Sequence, residues 1–164
     1  MTLTTMDDVL SRKIEPGVCT TARRIEVLNI LKEEGIPTVV WLTPLLPIIN
    51  DAEENIFGIL EDCQKASVRG IMTFHSFGVT LRDGDRQYFY SQLDKKFPGL
   101  RRQYIEAYGN AYELPIPRDR EIFPEFRGKC EAAGIEWRTN QIYEYLYTFE
   151  EKGCGQQRTL ADFM

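Results

Sequence analysis

The chain has 164 residues, of which 43% are hydrophobic and 12% aromatic, so it is long enough to bury a hydrophobic core of its own. Its formal net charge is −5 and its basic residues are scattered among acidic ones, which argues against a nucleic-acid partner. No apolar run approaches the ~20 residues that span a bilayer, and the first residues lack the order of a signal peptide, so we expect a cytoplasmic protein without a membrane partner.

The first part of the chain predicts two strands separated by helical residues. Residues 2–5 are rich in β-branched side chains, which favour a short strand. A helix that begins at Thr20 or Thr21 and ends at Gly35 follows. The run PTVVWL then has the length and apolar character of a strand buried on both faces of a parallel sheet.

A helix with a strong start signal leads to the third predicted strand. Asn50 is a favourable N-cap, and Glu53 stands three residues later, where its carboxylate can complete a capping box. The apolar residues of this helix share one face: Ile56, Leu60 and Cys63. The run IMTFHSF follows as a buried strand. Strands and helices in this alternation predict parallel pairing through right-handed crossovers.

Helices replace this alternation beyond Gly78. The predicted helices cover residues 83–97, 100–108, 120–133 and 140–152. The two prolines of the loop at residues 110–119 favour an extended conformation and exclude a helix there. Tyr108, Tyr112 and Glu113 lie at the start of this loop or just before it, and they serve either the core or a ligand.

The segment TPLLP, residues 43–47, follows the second predicted strand. In parallel α/β sheets ligands gather at the carboxyl ends of the strands. The two prolines remove backbone donors and leave carbonyls and apolar side chains, which suit a flat ring better than a phosphate. A rigid loop without a ligand explains the same residues, so both interpretations stay open.

The third strand end brings His75, Ser76 and Gly78 together in the sequence. A lone histidine in a strand is either a hydrogen-bonded structural residue or a catalyst. No acid or nucleophile stands close to His75 in the sequence. The structural interpretation therefore needs fewer assumptions.

The four cysteines are Cys19, Cys63, Cys130 and Cys154. Their spacing matches neither a zinc site nor a CxxC redox pair. Cys63 and Cys130 fall on the apolar faces of predicted helices, where a thiol acts as a small hydrophobic side chain. We therefore expect free thiols and no metal site in this chain.

An ordered set of motifs runs through essentially the whole chain: TLTTMDD, IEPG, ARRIEVLNILKEEGIP, LTPLLPIIND, GVTLRDGDRQYFY, FPGLRRQYIEAYGNAYELP and CEAAGI. In this order they resemble the C-terminal part of radical S-adenosylmethionine proteins related to the spore photoproduct lyases and the DNA repair photolyase-like proteins. The resemblance implies an α/β fold, half of a partial (β/α)6 barrel with three parallel strands, in residues 1–82. A helical C-terminal extension packed on it is implied for residues 83–164.

The resemblance also implies two cofactors for the full-length family, S-adenosylmethionine and a four-iron four-sulfur cluster. The CxxxCxxC loop that holds the cluster is absent from this chain, so we do not expect a cluster here. The resemblance places Thr2 and Thr4 near the ribose, and Arg24, held by Glu15, near the carboxylate. It places Leu45, Leu46 and Pro47 beside the adenine. His75, Ser76 and Gly78 are implied to close the pocket.

These expectations lead to one main hypothesis and two alternatives. The main hypothesis is a fragment of a radical S-adenosylmethionine enzyme, of the lyase-like type, that keeps part of the cofactor pocket and is inactive alone. The first alternative is a non-catalytic interaction module, because an opened barrel exposes a sheet edge that pairs with another copy or with a separate N-terminal half. The second is a metal-independent α/β enzyme that uses His75.

Overall fold

The computed structural model describes residues 1–73 and 76–148. The strands in this part of the chain are β1 (Val39–Trp41), β2 (Gly70–Met72), β3 (Gly78–Thr80) and β4 (Glu113–Pro115). The helices are α1 (Asp8–Ile14), α2 (Thr21–Glu33), α3 (Glu53–Lys65), α4 (Asp83–Lys96), α5 (Leu100–Tyr108), α6 (Asp119–Ala133) and α7 (Thr139–Tyr147). The fold is therefore mixed α/β, as predicted.

A parallel sheet lies at the centre of the molecule. β1 and β2 pair in parallel, with Val40 opposite Ile71, and both of these side chains are fully buried. Single parallel bridges add one segment on each side, Thr2 beside Trp41 and Glu136 beside Gly70. Four segments therefore lie side by side in chain order.

The predicted third strand is only partly correct. β2 ends at Met72, and residues 78–80 form the separate strand β3. β3 pairs antiparallel with β4, with Val79 opposite Leu114. The segment around β4 was expected to be extended, but its partner could not be predicted, because more than thirty residues separate the two strands in the sequence.

One hydrophobic core joins both predicted units of the chain. It contains Leu3, Val40 and Ile71 from the parallel sheet together with Phe126 and Cys130 from α6. This shared core agrees with a helical extension that packs on residues 1–82. The boundary between two units at residue 82 stays a prediction. No helix in the described ranges is long and apolar enough to cross a membrane.

The capping box predicted for α3 is wrong. The helix begins after Ala52, which forms no side-chain cap hydrogen bond. Asn50 is buried, and its side-chain amide bonds Leu46 and Thr4 instead. The remaining predicted helices agree with the structure to within a few residues, and α7 is described to Tyr147 while the predicted end at residue 152 lies outside the described residues.

Candidate functional site

A cavity of about 410 Å³ lies where β1 and β2 end. Thr43 and Pro44, which follow β1, form one part of its wall, and Thr73 and Ser76, which follow β2, form another. β3 and β4 complete the wall. This is the carboxyl end of a pair of parallel strands, the position at which α/β proteins bind their ligands.

The TPLLP segment connects β1 to this cavity through its first residues. Pro44 lines the cavity, and the peptide bond before it is cis. The amide of Leu45 donates to the carbonyl of Gly78 at 3.2 Å, which joins the loop to β3. The side chains of Leu45, Leu46 and Pro47 are buried and do not line the cavity, so their predicted contact with an adenine stays a prediction.

Tyr104 fixes the far end of the same loop. Its side chain is fully buried, and its hydroxyl donates to the carbonyl of Pro47. Burial raises the pKa of this phenol well above its usual range, so it stays a donor at any neutral pH. This contact could not be predicted, since nothing in LRRQYIEAY distinguishes one tyrosine from another.

Of the three residues predicted to close the pocket, two are described. Ser76 is exposed and lines the cavity. Gly78 also lines it and has a φ of 154°, a conformation that glycine adopts most easily. A Cβ atom at this position would lie 2.3 Å from the carbonyl oxygen of Leu114. His75 lies outside the described residues, so its proposed roles stay predictions.

Thr73 is the most informative residue of the cavity wall. It is 2% exposed, and its hydroxyl has no hydrogen-bond partner among the described residues. Leaving such a group unpaired costs about 1–3 kcal/mol, and buried polar groups in native proteins almost always have a partner. The Thr73 hydroxyl is therefore a polar group of the cavity wall for which the described residues supply no partner.

The predicted pairing of Arg24 with Glu15 is confirmed. The guanidinium donates to the carboxylate of Glu15 and to the backbone carbonyl of Thr2, both at 3.0 Å. Only 11% of the Arg24 side chain is exposed. Thr4 is buried, and its carbonyl accepts hydrogen bonds from Asn50 and Asn55. These four predicted site residues thus lie around the parallel segment at residues 1–3, which we call the outermost parallel segment, and the cavity wall contains none of them.

The described cysteines are not gathered into a group of metal ligands. Cys63 and Cys130 are fully buried, and burial raises the pKa of each thiol to about 12. Both side chains belong to the hydrophobic core, where they pack as small apolar groups. Cys19 is exposed and distant from both in sequence, and Cys154 lies outside the described residues. No group of three potential metal ligands occurs in the part of the chain that the structure describes.

Comparison with known proteins adds relatives without an assigned activity. No family model matches the chain, and no solved structure matches it. The chain is similar to uncharacterized proteins of Mycobacterium bovis and Mycobacterium tuberculosis, with 29% identity over 119 residues. The matched region is 73% of this chain and 34% of each relative. The chain therefore spans about a third of the length of the curated relatives that it matches.

Proposed function

We propose that this chain is part of a radical S-adenosylmethionine protein and that the cavity beyond β1 and β2 holds part of the S-adenosylmethionine molecule. The motifs set out under Sequence analysis suggest the family. The observation that carries the binding proposal is the buried hydroxyl of Thr73, which lies at the carboxyl end of a parallel strand and has no hydrogen-bond partner among the described residues.

The chemistry of the cavity wall supports a nucleoside-like ligand. The side chains of Thr43, Thr73 and Ser76 are neutral hydroxyls, and Pro44 adds an apolar surface. No lysine or arginine lines the cavity within the described ranges. Its volume lies within the range of about 300–1,000 Å³ that small-molecule sites occupy. Hydroxyls can bond the ring and the ribose, and the proline can pack against a flat base.

Radical chemistry is not assigned to this chain alone. The described residues contain no group of three potential metal ligands, so electron transfer and cofactor cleavage fall to the remainder of such a protein. In this proposal the chain contributes binding and positioning only. The residues that would do so are those of the cavity wall, with Arg24 and Glu15 at the neighbouring sheet edge.

Two measurements on the purified chain test the proposal. Equilibrium dialysis with labelled S-adenosylmethionine is expected to show saturable binding. Anaerobic reconstitution with iron and sulfide is expected to give neither a stoichiometric four-iron spectrum nor reductive cleavage of the cofactor. Absence of binding would refute the cofactor pocket, whereas a competent cluster would refute the interpretation of the cysteines.

The variant Thr73→Val tests directly whether the Thr73 hydroxyl bonds the ligand. Valine keeps the shape of threonine but removes the hydroxyl, so the affinity for S-adenosylmethionine is expected to fall about five- to tenfold, the value of one hydrogen bond. Folding stability is expected to stay the same or rise, since the hydroxyl has no partner among the described residues. Dialysis measures the affinity, and thermal unfolding measures the stability.

Thr38→Val is the matched control, because Thr38 precedes β1 at the end of the sheet opposite to the cavity. It should leave the affinity unchanged. A Thr73→Val protein that binds normally but unfolds at a lower temperature would show that the hydroxyl bonds a structural partner.

An interaction module is the second candidate function, favoured by the outermost parallel segment. Its carbonyl at Met1 and its amide at Leu3 bond Trp41, so the backbone groups of Thr2 point to the other side. The guanidinium of Arg24 donates to the carbonyl of Thr2, and the backbone amide of Thr2 donates to no described residue. Such an edge can add a strand from another copy or from a separate N-terminal half. Light scattering that shows a constant monomer mass across micromolar concentrations would contradict self-association.

A further inference from the structure

Glu113 is the only charged side chain among the described residues that line the cavity. It begins β4, where it stands opposite Thr80 in the antiparallel pair. Its carboxylate forms no ion pair or hydrogen bond with any described residue. The cavity therefore combines neutral hydroxyls with a single uncompensated negative charge.

This arrangement has a defined electrostatic preference. A carboxylate attracts a cationic ligand and repels an anionic one, and the walls of a cleft strengthen this field relative to a flat surface. No cation within the described wall offsets the charge. A phosphate entering the cavity would meet repulsion, while a sulfonium would meet attraction.

We infer that Glu113 makes the cavity discriminate between nucleoside ligands by their charge. It favours the positively charged S-adenosylmethionine over the neutral S-adenosylhomocysteine, and it disfavours phosphate-bearing nucleotides such as AMP. The inference rests on the proposed function, because it requires a nucleoside ligand in this cavity. It assigns a specificity-determining role to Glu113, which the sequence left open between the core and a ligand.

Three nucleoside ligands that differ in charge test this role. Dissociation constants for S-adenosylmethionine, S-adenosylhomocysteine and AMP are measured by isothermal titration at low ionic strength, with the unchanged chain and with Glu113→Gln. Because Glu113 is exposed, the substitution is expected to weaken S-adenosylmethionine binding only about two- to fivefold. The affinity for S-adenosylhomocysteine should stay the same, and that for AMP should rise. Added salt should reduce these differences, since it screens exposed charges.

Glu33→Gln is the matched control, since Glu33 is exposed at the end of α2 and does not line the cavity. It makes the same change of net charge and should leave all three affinities unchanged. If Glu113→Gln weakens all three ligands equally or none of them, charge selection by Glu113 is wrong, although the cavity still binds a nucleoside. If the unchanged chain binds none of the three ligands, the proposed function fails and this inference fails with it.

Discussion

Replacing Gly78 with alanine is expected to lower the free energy of unfolding by about 2–5 kcal/mol, the sum of overpacking and backbone strain. The new Cβ atom would lie 2.3 Å from the carbonyl oxygen of Leu114 and 2.9 Å from the Cα atom of Pro115. Both contacts are with the backbone of β4, so no flexible side chain can move aside. The substitution therefore separates β3 from β4 and opens the cavity wall that both strands form.

Urea unfolding followed by circular dichroism measures this loss. Gly84→Ala is the matched control, because Gly84 lies in the first turn of α4 and a Cβ atom there meets nothing within 4 Å. That control is expected to stabilise the chain by up to about 1 kcal/mol, since alanine favours a helix more than glycine. Equal unfolding midpoints for Gly78→Ala and the unchanged chain would contradict the close pairing of β3 with β4.

The sequence predicted the elements whose signals are local. The apolar run around Val40 has the length and composition of a buried parallel strand, and the structure places β1 there. The strand β3 was not predicted, because its three residues carry no periodic pattern of their own. Its existence depends on pairing with β4, and a contact between segments so distant in the chain leaves no local signal.

The same distinction applies to the candidate site. The pairing of Arg24 with Glu15 entered through the family resemblance, and the structure confirms it, because Glu15, the C-cap of α1, accepts a hydrogen bond from Arg24 in the first turn of α2. Thr73 was not predicted as a site residue, and the sequence left Glu113 open between the core and a ligand. A threonine after a strand carries no sign that its hydroxyl lacks a partner, and only the pairing of β3 with β4 brings Glu113 to the cavity.

Asn50 shows how one property of a side chain can serve two different structural roles. Asparagine caps helices because its short amide reaches nearby backbone groups, and this property suggested an N-cap. In the structure the same property is used across a loop. Its Oδ1 atom accepts from the amide of Leu46 at 2.5 Å, and its Nδ2 atom donates to the carbonyl of Thr4 at 2.8 Å. Asn50 thus joins the TPLLP loop to the outermost parallel segment.

We expect Asn50→Ala to cost about 2–4 kcal/mol in urea unfolding, because it leaves the buried amide of Leu46 without its partner and removes a second hydrogen bond. The loss should be smaller than the cost of leaving two buried groups unpaired, since Asn55 also donates to the carbonyl of Thr4, at 3.0 Å. Asn140→Ala, on the exposed side of α7, is the control and should change stability by less than about 0.5 kcal/mol. Equal stability of the two variants would mean that Asn50 does not hold the loop. The loss of stability caused by Asn55→Ala should be larger in the Asn50→Ala background than in the unchanged chain, because the carbonyl of Thr4 then loses both donors.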